Sequence, residues 1–358
     1  MKENDRMVQV GLNGAEGCGI LQYKEQTMNL DNHLSVIAFR KRQQNDQPKA
    51  MTLQRLKAIV IEAGADDVGV VEVDRPSLQD QKEAILHAFA SAKTLVSFIC
   101  RMNEAQVRSN DRSLVDGEFI AYDAEMLHIS RTVVKALRDE GITAVTPSES
   151  FPQDMSKWQG RMLTVSHKPV AEAAGLGMIG HHRLLIHPIF GSHLCLGTII
   201  IDTAMEVYDQ PIDYNPCIDC KLCVTTCPTG AIAPDGSFAF VKCLVHAYRD
   251  RLGGFLNWVE SLVTSQNMEE YREKRTDGET MAVWQSLTYG GGYRCGYCMS
   301  VCPAGLDLIG PYLDNRMEYL QSIVKPLQER NENVYVLPDQ DQAKKVNKKF
   351  PNKTVRPA

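Results

Sequence analysis

Apolar positions in the first half of the chain follow two periods, one typical of helices and one typical of strands. Between residues 52 and 63 they recur every three or four positions, which predicts a helix, and the valine-rich run at 67–73 predicts a strand. The same reasoning predicts helices at 79–92 and 123–139 and strands at 94–100 and 142–145. Helices that alternate with strands in this way predict an α/β or α+β region.

Residues 162–202 are rich in glycine. They are predicted to form a strand at 162–166, a short helix opened by Pro169 and a strand at 196–202. The run from Gly175 to Gly180 fits G-x-G-x-x-G, but it follows a predicted helix instead of a strand, which disfavours a dinucleotide fold. Glycines this dense allow close approach of the backbone to a ligand.

Composition and charge exclude several classes of protein. The chain has 358 residues, of which 44% are hydrophobic and 23% charged, as in ordinary globular proteins. No apolar run is long enough for a membrane span, and the N-terminus lacks the apolar segment of a secretory signal. The net charge of −5 does not favour nucleic-acid backbone binding, although a basic tail at 344–356 is predicted to be solvated or to contact RNA or an acidic partner.

The strongest chemical signal is a run of four cysteines with the spacing C-x2-C-x2-C-x3-C-P. It extends from Cys217 to Pro228. In bacterial two-cluster ferredoxins this spacing directs three thiolates at one cubane and the fourth at another. A second copy at 292–303 lacks its first cysteine, so the two motifs supply seven thiolates where two cubanes need eight.

Cys243 is the one other cysteine in this half and completes the set. We predict two [4Fe–4S] clusters, with the ligands Cys217, Cys220, Cys223 and Cys302 for cluster 1 and Cys227, Cys243, Cys295 and Cys298 for cluster 2. Zinc is the alternative, since C-x2-C pairs also bind zinc, but a zinc site has no need of the interlocked x3-C-P step. Clusters of this kind predict a cytoplasmic location, where thiols stay reduced.

These observations predict an α+β fold in which an N-terminal α/β-type cofactor-binding domain precedes a bacterial ferredoxin-like module with two [4Fe–4S] clusters. The predicted parts are a flexible leader (1–50), an α+β substrate and cofactor domain (51–205), a double-cluster ferredoxin-like domain (206–316) and a C-terminal helix with the basic tail (317–358). Cys100 and Cys195 are interpreted as structural residues of the first domain.

The cysteine motifs, the lone Cys243 and the segment AGLGMIGHHRLLIHPIFGSHLCLGTIIID (174–202) resemble the epoxyqueuosine reductases and the related reductive dehalogenases, and the helix and strand at 56–73 are similar too. The resemblance covers residues 51–310. It implies a corrinoid (cobalamin) that receives electrons from an external ferredoxin- or flavodoxin-type donor through the two clusters and reduces a small-molecule or tRNA-borne substrate. The candidates for binding this cofactor are Gly175, Gly177, Gly180 and Ser192.

The sequence departs from this family where the reductases resemble one another in V-D-x-x-P. Ser166 stands in place of the aspartate that acts as proton donor, and a serine is too weak an acid near neutral pH. His167 is one candidate to replace it, because its unperturbed pKa lies near 6.5. Tyr122 is the other, by resemblance to the tyrosine acid of the dehalogenases.

Three functions remain open from the sequence. The first is an enzyme, a corrinoid-dependent iron–sulfur reductase of the epoxyqueuosine reductase type. The second is a ferredoxin-type electron carrier, or a protein that docks a partner, without a corrinoid. The third is a reductase whose first domain binds another cofactor, such as a flavin.

Overall fold

The computed structural model describes residues 6–10, 23–27, 30–45, 51–157, 161–290, 292–337 and 340–357. The chain divides into two compact units, Met1–Ala50 and Met51–Ala358. In the first unit, the strands β1 (Arg6–Val10) and β2 (Tyr23–Thr27) pair antiparallel, and a helix α1 (Leu34–Asn45) follows. A flexible leader was predicted for residues 1–50, but the described residues of this range form two strands and a helix. Its remaining residues lie outside the described part of the chain.

The second unit contains a four-stranded antiparallel sheet. The strands of the sheet are β3 (Asp67–Glu72), β4 (Thr94–Arg101), β5 (Ala144–Val145) and β8 (Leu194–Ile201). A separate short hairpin consists of β6 (Met178–Ile179) and β7 (Leu185–Ile186). The sheet order is β3-β4-β8-β5, and β6 pairs with β7. Because every strand pair in the sheet is antiparallel, this region is α+β. The prediction of an α/β-type N-terminal domain was wrong.

Helices cover both faces of this sheet because its strands bury both sets of alternating side chains. One apolar cluster joins Val70 and Ile199 to the helices α2 (Leu53–Glu62) and α5 (Arg112–Asp139). A second cluster joins Val71 and Ile200 to the other face, which is covered by the helices α3 (Gln79–Ala88) and α6 (His167–Ala173). A short helix α4 (Glu104–Val107) precedes α5.

Two predicted elements differ from the structure. Helix α5 begins eleven residues earlier than predicted, at Arg112, because Asp111 caps it by accepting a hydrogen bond from the backbone N–H of Ser113 at 2.8 Å. The chain at 162–166 is irregular instead of a strand. Its apolar residue Val165 packs under the sheet without pairing to it.

The cysteine-rich half consists of short helices. They are α7 (Leu222–Thr226), α8 (Phe240–Ala247), α9 (Gly253–Thr264), α10 (Met268–Lys274), α11 (Asp277–Tyr289), α12 (Tyr297–Ser300) and α13 (Gly310–Asp314). This half packs directly against the sheet half: Ser300 Oγ donates to the Val107 carbonyl at 2.6 Å, and Arg101 pairs with Asp307 at 2.7 Å. The boundary predicted near residue 205 therefore lies inside one compact unit.

The C-terminal segment is folded, although the side chains of Lys344, Lys345, Lys348 and Lys349 are exposed to solvent, as the first interpretation of a solvated tail expected. After α14 (Arg316–Tyr319), a π-helical stretch (Leu320–Val324) and α15 (Lys325–Glu329), strand β9 (Asn333–Val336) pairs in parallel with β10 (Thr354–Pro357) around α16 (Gln340–Lys349). The side chain of Lys353 is fully buried, and its ammonium donates to Tyr297 Oη at 2.7 Å. This contact ties the tail to α12.

Candidate functional site

The first cysteine motif forms a tight loop followed by a short helix. Asp219 and Lys221 adopt left-handed backbone conformations, with φ of 53° and 59°, which wind the two-residue gaps around one point. Helix α7 then begins, and the backbone N–H of Cys227 donates to the carbonyl of Cys223 at 3.1 Å. The fourth cysteine of the motif thus lies at the far end of the helix from the loop.

Four cysteines line a small cavity, and we call them the first quartet: Cys217, Cys220, Cys223 and Cys302. Burial, together with the neighbouring thiols of Cys302, Cys220 and Cys217, raises the pKa of the Cys223 thiol to about 12. This loop lies at the protein surface, because the side chain of Asp219 is 68% exposed.

Five cysteines line a much larger cavity of about 540 Å³. One is Cys195, and we call the other four the second quartet: Cys227, Cys243, Cys295 and Cys298. Burial raises the pKa of the Cys243 thiol to about 12, with added repulsion from Cys295 and Cys227. The pKa of Cys298 is raised well above its usual range, by burial first and then by Cys295, Cys243 and Cys227. Helix α8 supplies Cys243 and helix α12 supplies Cys298.

The chemistry of each quartet fits one cubane. Each offers the four thiolates that a [4Fe–4S] cluster needs. Burial and repulsion from neighbouring thiols both oppose ionisation of Cys223, Cys243 and Cys298, and bound iron would offset both effects. No three His, Cys, Asp or Glu side chains in the described part of the chain are grouped to hold a single metal ion. A cubane needs no such group, since its thiolates bind four different irons, and the two ligand sets stay a prediction.

The large cavity lies between the sheet half and the cysteine-rich half. Tyr122 on α5 lines it, and Arg294, the residue before Cys295, donates a hydrogen bond to the Tyr122 hydroxyl. Arg294 is held in place by an ion pair with Asp123. Burial raises the pKa of Tyr122 well above its usual range, and the adjacent Cys195 thiol adds to this, while Arg294 opposes it. Tyr122 therefore keeps its proton and presents it near the second quartet.

His167 also lines this cavity, but both of its ring nitrogens are engaged. Nε2 lies 3.0 Å from the carbonyl of Ser148 and Nδ1 lies 2.9 Å from Thr198 Oγ1. Since a carbonyl can only accept, Nε2 carries the proton and Nδ1 accepts from Thr198. Burial lowers the pKa of His167, so the ring is neutral and has no proton to spare. These contacts favour a structural role.

The charges on the cavity wall are mostly positive. Arg161, Lys168, Arg183 and Arg294 line it, with Glu149 as the carboxylate. Burial lowers the pKa of Lys168, and the thiols of Cys243 and Cys298 act in the opposite direction. Among the described residues, neither Lys168 nor Arg183 has an ion-pair partner, whereas Arg161 pairs with Asp80. The wall is suited to a ligand with negative charge.

The three candidate glycines lie in tightly packed backbone instead of on the cavity wall. A Cβ on Gly175 would lie 2.4 Å from the carbonyl oxygen of Gln210, and one on Gly177 would lie 2.3 Å from that of Ile186. A Cβ on Gly180 would lie 2.4 Å from the Ile186 side chain. Close packing within the fold accounts for all three glycines, and none of them lines the large cavity.

Ser192 and Ser166 do line the cavity. Ser192 is 1% exposed, and its hydroxyl lies near the Cys302 thiol, whose pKa burial raises to about 11. Ser166 precedes α6, and its backbone N–H donates to Gln81 Oε1 at 2.8 Å. Of the four candidate cofactor-binding residues, the structure brings Ser192 alone to the cavity.

The four histidines at 181–193 do not converge. His181 Nε2 bonds the Ala233 carbonyl at 2.8 Å, His187 Nε2 bonds Asp67 at 3.1 Å, and His193 Nε2 bonds the Met299 carbonyl at 3.0 Å. His182 differs, because its Nε2 is buried without a hydrogen-bond partner. The sequence showed His182 as one of four histidines within thirteen residues, which suggested either metal ligation or loop histidines near a cofactor. It did not single out Lys168 or Arg294, although Arg294 lies within the second motif.

No helix among the described residues combines the length and the apolar character needed to cross a membrane. A family model described as a 4Fe-4S binding domain matches residues 212–232. This range includes the first cysteine motif, so the prediction of an iron–sulfur binding domain is confirmed there.

Several proteins of known name are similar to the chain. It is 30% identical over 215 residues to the epoxyqueuosine reductase of Lactococcus garvieae, an alignment that covers 59% of the chain and 52% of the relative. It is 33% identical over 165 residues to that of Bacillus anthracis, which covers 46% and 35%. A solved structure of epoxyqueuosine reductase from Streptococcus thermophilus aligns with a TM-score of 0.44 and 17% identity over 77% of this chain and 76% of that one.

The chain thus matches about half or less of the length of these curated relatives. Their names support the superfamily that the motifs predicted, and the resemblance to epoxyqueuosine reductases is confirmed at the level of sequence.

Proposed function

We propose that this chain is an iron–sulfur reductase of the epoxyqueuosine reductase-like superfamily, which passes electrons through two [4Fe–4S] clusters to a ligand in the large cavity. The first quartet would hold the cluster that accepts electrons from an external ferredoxin- or flavodoxin-type donor, because its loop lies at the surface. The second quartet would hold the cluster that delivers them. One observation carries the proposal: the second quartet and the Tyr122–Arg294 pair line the same cavity.

The corrinoid that the resemblance implies would occupy this cavity, where Ser192, Lys168 and Arg183 are the wall residues suited to hold it. When bound, it would supply a strongly reduced cobalt for the reaction with the substrate. A volume of about 540 Å³ is typical of binding sites for organic ligands. The second cluster would lie directly against the bound molecule.

The protein's own contribution is to hold and deliver protons and to order the reacting groups. Reductive removal of an epoxide oxygen as water consumes two electrons and two protons. Two clusters that each carry one electron match the first requirement. Tyr122 meets part of the second, since it lines the cavity and its hydroxyl is protonated, oriented by Arg294 and next to the Cys195 thiol. We therefore assign Tyr122, and not His167, as a proton donor.

Epoxyqueuosine is the first substrate to test, because the curated relatives are named for it. The experiment is anaerobic purification, with iron and acid-labile sulfide analysis, absorbance spectroscopy and mass spectrometry, followed by expression in cells that lack their own epoxyqueuosine reductase. The proposal predicts clusters, a corrinoid spectrum and restored queuosine. Clusters with no second cofactor would favour an electron carrier, a flavin spectrum would replace the corrinoid, and failure to restore queuosine would exclude this substrate.

A further inference from the structure

His182 lies at the junction of the two cavities. It follows Gly180 in the turn between β6 and β7, and its side chain lines both the small cavity of the first quartet and the large cavity of the second. The residue is 4% exposed, so it is part of the interior. The proposed function as described above gives no role to this buried polar ring.

Hydrogen bonding fixes which ring nitrogen of His182 carries a proton. Nδ1 accepts from the backbone N–H of Leu184 at 3.1 Å. A neutral ring that accepts at Nδ1 carries its proton at Nε2. Nδ1 is therefore unprotonated, and the one N–H of the ring is at Nε2.

That N–H has no acceptor in the described part of the protein. His182 Nε2 is buried and makes no hydrogen bond. Buried donors are rarely left unpaired, because their desolvation is then uncompensated. The described part of the protein therefore supplies no acceptor for this N–H, and a bound group could supply one.

The neighbouring histidines show why His182 is distinctive. His181 also lines the small cavity, but its Nε2 bonds the Ala233 carbonyl and its Nδ1 accepts from Lys221 at 3.1 Å. His193 donates Nε2–H to the Met299 carbonyl, so its unpaired Nδ1 presents a lone pair and not a proton. Cluster sulfurs accept hydrogen bonds and do not donate them. Of these neighbouring histidines, His182 is the one with an unpaired N–H that a cluster sulfur can accept.

We propose that His182 donates its Nε2–H to a sulfur atom of the cluster held by the first quartet and thereby raises the reduction potential of that cluster. This proposal depends on the proposed function, because it requires the clusters. The reduced cluster carries more negative charge on its sulfurs than the oxidised one, so a donor stabilises the reduced form more. His182 would make the first cluster the readier acceptor of electrons from outside.

The test replaces His182 in the full chain and measures both cluster potentials by redox titration followed by electron paramagnetic resonance. His182→Phe keeps the ring volume but lacks the N–H, and His182→Gln keeps an N–H. We expect the ratio of reduced to oxidised first cluster at a fixed potential to fall about tenfold in His182→Phe, which is 59 mV for one electron. His182→Gln should stay closer to wild type, and His128→Phe, which changes an exposed histidine, should not shift either potential.

Iron and sulfide are counted first. If the wild-type protein holds no clusters, the proposed function fails; if His182→Phe keeps its clusters and both potentials, this inference alone is overturned. Should His182→Phe lose its clusters, wild-type protein labelled with ¹⁵N-histidine decides the question. A ¹⁵N coupling to the reduced first cluster that disappears in His182→Gln supports the hydrogen bond, and the absence of that coupling contradicts it.

Discussion

Each of the two cysteine quartets has four thiols, but the surroundings of the two quartets differ greatly. The first quartet closes on a small cavity beside a surface loop, where the side chain of Asp219 is 68% exposed. The second quartet forms part of the wall of a cavity of about 540 Å³, together with Tyr122 and Arg294. Under the proposed function, ligand spacing would specify the kind of cluster, while the residues around each quartet would specify whether its cluster receives or delivers electrons.

Removal of Cys243 is expected to have the largest effect on this comparison. Cys243→Ala takes one thiolate from the second quartet, so we expect iron to fall from about eight to about four atoms per chain and reductase activity to be lost. Inductively coupled plasma mass spectrometry measures the iron. Cys100→Ala, which changes a buried thiol in the sheet core, is the control and should keep all its iron. Unchanged iron in Cys243→Ala would refute the ligand assignment.

Loss of the Tyr122 hydroxyl should slow the reaction in the large cavity and leave the iron content of both clusters unchanged. Tyr122→Phe removes the proposed proton donor, and we expect the turnover number to fall about 10²–10⁴-fold with normal iron content. Single-turnover kinetics with chemically reduced protein measures this step. The exposed Tyr289→Phe is the control, and wild-type turnover in Tyr122→Phe would eliminate Tyr122 as the acid.

The C-terminal segment braces the helix that carries Cys298. Lys353→Met leaves Glu332, which is 6% exposed in its side chain, without its ammonium partner. Loss of one member of a buried ion pair costs about 3–5 kcal/mol, so we expect a lower free energy of unfolding by that amount. Denaturant titration of anaerobic protein measures it. Lys348→Met on the exposed face of α16 is the matched control, and equal stability of the two variants would show that the tail is not a brace.

Deletion of residues 1–50 should have the smallest effect. These residues form a compact unit separate from the unit that holds both quartets. We expect the shortened protein to keep its iron content, its melting temperature and both cluster potentials. A loss of iron on deletion would show that the first unit supports a cluster.

The cysteine spacing predicted that Cys217, Cys220 and Cys223 lie together, because ligands three residues apart are placed by one loop. It did not predict that Cys195, which lies outside both motifs, also lines the large cavity. The helices and strands of the sheet half were predictable for a similar reason, since their apolar periods are local. The buried role of Lys353 was not, because its partners at Tyr297 and Glu332 are brought to it by the fold and not by the sequence around it.

The catalytic candidates illustrate the same limit. His167 follows the expected acid position, which Ser166 occupies, but Thr198 and Ser148, which are distant in sequence, engage both of its ring nitrogens. Gly175 and Gly177 fit a ligand-binding pattern, yet the absence of a side chain at these positions allows close packing against the carbonyls of Gln210 and Ile186. Residue type gives the chemistry that is available, and tertiary contacts determine which groups remain free to use it.

The proposed function requires eight thiolates that hold two [4Fe–4S] clusters, one of them beside the large cavity. Iron, acid-labile sulfide and zinc per chain can be measured on protein purified without oxygen. We expect about eight iron atoms and about eight sulfides with no stoichiometric zinc. Zinc in place of iron, or protein that contains neither iron nor sulfide, would overturn the proposed function.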